Sequence, residues 1–77
     1  MKREIDTIAK ARPFAPFEME LVGGRVLRVK HPEFVYVPPG RGIHVVYTHE
    51  DGTSEFVNAL LIVGARAIRR PARRKAG

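Results

Sequence analysis

Two alternating runs flanking a Gly-Gly pair constrain the fold of this chain more than any other feature. Phe17 to Val22 puts Phe17, Met19 and Leu21 on one face and Glu18 and Glu20 on the other. Arg25 to His31 repeats the alternation, with Leu27 and Val29 opposed to Arg28 and Lys30. A period of two is that of a half-buried strand. The faces then select the turn. A two-residue Gly23-Gly24 loop would set Met19 against Arg28 and Glu20 against Leu27, mixing apolar and charged faces. A three-residue loop ending at Gly24 sets Phe17 against Val29, Met19 against Leu27 and Glu18 against Arg28. The sequence therefore predicts a bulged hairpin with Gly24 in the left-handed position.

A second hairpin follows. Ile43 to His49 alternates, and Asp51-Gly52 marks a turn. A two-residue type I′ turn there, the preferred reading, sets Tyr47 opposite Phe56 and Val46 opposite Val57. A three-residue Glu50-Asp51-Gly52 loop sets Phe56 opposite Val46 instead. The near-continuous run Leu60-Leu61-Ile62-Val63 predicts a last strand buried on both faces.

Lys2 to Ala11 has Ile5, Ile8 and Ala9 at helical spacing, and Pro13 and Pro16 end it. Pro32 cannot donate to a ladder, so the second strand ends or bends at His31-Pro32-Glu33-Phe34-Val35. Pro38 to Gly42 is a loop. The expected fold is mainly β: a small five-stranded SH3-like or Sm-like barrel with a short N-terminal α-helix over residues 1–68. Residues 69–77 are expected to form a flexible basic tail. Barrel closure would remove the exposed edges of so short a sheet.

Length and charge narrow the possibilities. A 77-residue chain has room for one domain and buries only about 60% of its unfolded surface. With no cysteine to cross-link it, self-association is the remaining common source of buried area, and a homo-oligomer is expected. The net charge is +6, yet residues 1–65 hold eight cationic and eight acidic side chains. The whole surplus lies in Arg66, Arg69, Arg70, Arg73, Arg74 and Lys75. Met1-Lys2-Arg3-Glu4 has no apolar stretch behind it, so no signal peptide is expected. The apolar run Ala59 to Ala65 is far shorter than the ~20 residues of a membrane span. A cytoplasmic protein without a membrane partner is expected.

The short helix, the turn Leu21-Val22-Gly23-Gly24-Arg25, the bent second strand and the final apolar strand together resemble the Sm-like fold, in its bacterial Hfq-type RNA-chaperone form. Glu20 to Phe34 is similar to that family's first two strands and corner. Ser54 to Ile62 is similar to its fourth and fifth strands. The resemblance implies that Phe34 is the corner aromatic that stacks on uracil. Pro32 stands where the family has Asp, and Asn58-Ala59-Leu60 stands where it has Tyr-Lys-His. The string from Arg12-Pro13-Phe14 through His31-Pro32-Glu33-Phe34 to Asp51-Gly52 also resembles a group of short bacterial proteins, which supplies no function.

The candidate chemistry is that of binding. Phe34, with His31 and Tyr36, could stack and hydrogen-bond an unpaired base. The preferred reading of the corner is structural, with Pro32 turning the chain, Phe34 filling the core, and His31 and Glu33 solvated. Arg41, in the Pro39 to Gly42 loop, could meet a phosphate, although the loop lacks the strand–loop–helix context of a phosphate-binding loop and a plain surface connection is the preferred reading. The six C-terminal cations could neutralise up to about six phosphates, a log–log salt slope near −4 on a single strand. No catalytic residue is predicted, since Ser54 is the only serine and has no evident base. His44 and His49 face opposite sides of their strand, so neither a metal nor another cofactor is expected. The leading expectation is RNA or single-stranded nucleic-acid binding, as in an RNA-chaperone-like regulator. The alternative is a protein–protein interaction or ring-forming scaffold module.

Overall fold

In a computed structural model, described for residues 1–68, one helix and six strands follow in order. They are α1 (Lys2–Lys10), β1 (Phe17–Leu21), β2 (Val26–Val29), β3 (Val35–Tyr36), β4 (His44–Thr48), β5 (Ser54–Asn58) and β6 (Ile62–Ala67). Short 3-10 turns, Pro32–Phe34 and Ala59–Leu61, precede β3 and β6. The strands form two three-stranded antiparallel sheets, β2-β1-β6 and β3-β4-β5. The chain is thus mainly β with an N-terminal helix, as expected, but it has six strands rather than five and the barrel is not closed. Pro32, at the start of its 3-10 turn, breaks the second strand, and β3 resumes for two residues only. No β2–β3 ladder forms among the described residues. The five tail cations Arg69, Arg70, Arg73, Arg74 and Lys75 lie outside the described residues.

The first hairpin adopts the predicted register. Phe17 faces Val29, Glu18 faces Arg28 and Met19 faces Leu27. Leu21 N–H donates to the Arg25 carbonyl at 2.8 Å, closing a three-residue loop in which Gly24 has φ +93. A Cβ at that φ would be strained, so glycine is required there.

The second hairpin takes the other register. Val46 faces Phe56, Tyr47 faces Glu55 and Val45 faces Val57. His49 N–H donates to the Thr53 carbonyl at 2.7 Å, so this loop also has three residues. Gly52 has φ +92, and Asp51 Oδ1 accepts the Thr53 N–H at 2.9 Å and its hydroxyl at 2.7 Å. The preferred two-residue turn is corrected because Val57 has to share the inner face with Val45. Both are buried, and Phe56 is left outside.

The core joins Phe17, Met19 and Leu21 of β1 to Leu27 and Val29 of β2, and these to Val35, Val45, Tyr47, Val57 and Ile62. Ile5 and Ala9 of α1 close one end. Each large side chain buried here contributes about 1.5–3 kcal/mol of transfer free energy. A nine-residue helix is too short to persist alone, so this packing is what holds it. Burial of β6 on both faces is corrected: Ile62 is buried, whereas Leu60, Leu61 and Val63 are exposed. The 3-10 turn at Ala59–Leu61 uses part of the apolar run to change direction, sending only Ala59 inward. Among the described residues, no helix is long and apolar enough to cross a membrane.

Candidate nucleic-acid interface

The His31 to Val35 corner is built around Phe34. Its ring is half-buried against the core cluster, and His31 meets it edge-on with ring centroids 5.6 Å apart. His31 is exposed and caps the corner from outside. The packing of Phe34 fits the structural reading of this corner.

Arg66 lies within β6 rather than in a tail. Its Nε donates to Glu18 Oε1 at 2.9 Å, and a terminal nitrogen lies 3.7 Å from Glu20. Arg28 shares Glu18 at 3.7 Å. Most cations of the body are engaged in this way. Lys30 pairs with Glu50 at 2.9 Å, and Arg25 donates two hydrogen bonds to Glu55, at 2.5 and 3.0 Å. These guanidinium bonds hold the Glu55 carboxyl below its ordinary range, and His49, whose Nε2 lies 2.6 Å away, adds to the effect. Lys30 likewise lowers Glu50.

Tyr36 and Arg41 are different. Both border a groove of about 600 Å³ between α1 and the Val35 to Gly42 segment. The opposite wall brings Lys2, Arg3 and Lys10 from the helix. Lys2 Nζ donates to the Gly40 carbonyl at 2.9 Å and pins the loop to the helix. Lys10 pairs with Asp6, the one acid of the groove lining, at 3.1 Å. Among the described residues, Arg3 and Arg41 have no ion-pair partner. Tyr36 is 59% exposed, with its ring on the outer face of β3. Four cations and one aromatic therefore converge on a concave surface that holds a single carboxylate. This arrangement can accept a phosphate backbone and stack a base beside it.

The sequence reading missed the helical half of this groove. Its signal was present: Lys2, Asp6 and Lys10 recur at i, i+4 spacing and form one stripe of α1. What could not be read was that the loop carrying Arg41 packs against that stripe. Among the described residues, no three His, Asp or Glu side chains gather as metal ligands. No protein-family model, curated protein or solved structure matches the chain.

Proposed function

We propose that this chain binds single-stranded nucleic acid, RNA in the first instance, in the groove between α1 and the β3–β4 connection. The observation that carries the reading is the convergence of exposed Tyr36 with Lys2, Arg3, Lys10 and Arg41. Phosphates lie along the cations, and Tyr36 supplies a stacking face for one base. Ring stacking tolerates any base, so the groove favours single strands over a particular sequence. Arg69, Arg70, Arg73, Arg74 and Lys75 add affinity without specificity. Two hairpins, a 3-10 turn before the last strand and the return of β6 onto β1 support an open relative of the Sm-like or SH3-like barrels. The activity suits a cytoplasmic RNA-chaperone-like regulator rather than an enzyme.

Fluorescence anisotropy of a labelled oligouridine tests this. Arg41→Ala and Tyr36→Ala should each weaken binding about ten-fold. Removing residues 69–77 should flatten the log–log salt slope by about 0.7 for each phosphate that is no longer neutralised. Unaltered affinity in both point variants would refute the groove.

A second observation favours an interaction module. Val22, Leu60, Leu61 and Val63 are all exposed, and Val22 N–H donates to the Leu61 carbonyl at 2.8 Å. Exposed apolar side chains gathered around one turn suit burial against a protein. Self-association through this band would add the buried area that so short a chain lacks, and is compatible with an open groove.

A further inference from the structure

The outer face of the β3-β4-β5 sheet carries a ladder of which the groove uses only the Tyr36 end. Tyr36 faces Val46, and Val46 faces Phe56. Directly opposed residues of antiparallel strands share a face, so Tyr36, Val46 and Phe56 form one row across three strands. Phe56 is 75% exposed, although a phenylalanine on a solvent face wastes its apolar surface. The His44 ring lies beside it, with centroids 6.2 Å apart. The row is flanked by Asn58 opposite His44 on one side, and by Thr48 opposite Ser54 on the other, their hydroxyl oxygens 3.0 Å apart. Among the described residues, the strands place no Asp, Glu, Lys or Arg on this part of the face. Tyr36 is at once the end of the row and a wall of the cationic groove.

We infer that Phe56, with His44 beside it, is a second base-stacking platform, and that a single strand runs from the groove across Tyr36 onto the outer face of this sheet. The inference rests on the nucleic-acid reading of the groove and extends it. The occupant is a nucleobase because the row offers flat, neutral, exposed aromatic faces, while, among the described residues, the groove cations Lys2, Arg3, Lys10 and Arg41 stand at its Tyr36 end. Two strand spacings, about 9–10 Å, separate Tyr36 from Phe56. Val46 between them leaves an apolar floor for the bases. Stacking does not read the 2′-hydroxyl, so oligouridine and oligothymidine both serve as probes.

The chain has no tryptophan, so Phe56→Trp places a single indole on the exposed face without disturbing the core. Titration with a short oligouridine should quench that indole, in step with the anisotropy of the labelled strand. Phe56→Ala should weaken binding about ten-fold and should not weaken binding of an abasic strand of equal length. Anisotropy that reports binding while the indole is unmoved would overturn the platform and leave the groove standing. No anisotropy change would overturn both. An indole already blue-shifted without ligand, and red-shifted on dilution, would show the face covered by a second copy and would also overturn the platform.

Discussion

The Tyr47 hydroxyl donates to the backbone carbonyl of Arg28 at 2.7 Å, a side-chain bond where a closed barrel would have a ladder between β2 and its neighbour. Arg28 turns its side chain to solvent, while its carbonyl, on the edge of β2 away from β1, is met by a residue of the other sheet. Burial raises the phenol above its usual pKa, so it stays a donor through the neutral range. Tyr47→Phe leaves that carbonyl without this partner and should cost about 1 kcal/mol. Urea unfolding should show a lower midpoint with an unchanged slope.

Glu55 joins its hairpin to the first one through Arg25 and pairs with His49 within its own hairpin. Its carboxyl sits below the ordinary value of 4.5 because Arg25, and then His49, favour the charged form. A carboxyl depressed in the folded state stabilises the fold above its unfolded pKa, and that contribution is lost as pH falls through the folded value. Thermal midpoints should therefore drop as pH is lowered from about 5 to about 3. Glu55→Gln should start lower at neutral pH and show a shallower fall across that window. A parallel decline of both proteins would remove Glu55 from the acid response.

Phe34 is placed by its packing on the core. Phe34→Ala should destabilise the fold by about 2 kcal/mol, roughly half the cost at a fully buried site. Phe34→Leu should recover most of that stability. Oligouridine affinity, measured well below the unfolding temperature, should be unchanged in the Leu variant.

Leu60 and Leu61 are exposed on the turn before β6. Replacing both with Ser should leave the thermal midpoint nearly unchanged, since neither belongs to the buried core. Light scattering should show the double variant as a monomer at concentrations where the parent self-associates. A monomeric parent would contradict this use of the band.

The first hairpin was legible because each strand had one charged face, so only one register kept like with like. The second was not. Both of its registers paired apolar residues, and the choice rested on partners far along the chain, with Glu55 meeting Arg25 and Tyr47 meeting Arg28. The run Leu60 to Val63 misled for a related reason. Hydrophobicity alone does not say which side chains a 3-10 turn will send inward. At the candidate site, Tyr36 and Arg41 were visible as residue types beside a loop. Lys2, Arg3 and Lys10 reach the same groove only through the packing of α1, which is a tertiary fact.

A backbone amide NMR titration of the protein with oligouridine tests the groove most directly. The groove account predicts saturable shifts concentrated at Lys2, Arg3, Lys10, Tyr36 and Gly40 to Gly42, diminished by Arg41→Ala. Shifts confined to residues 69–77, or absent throughout, would contradict it.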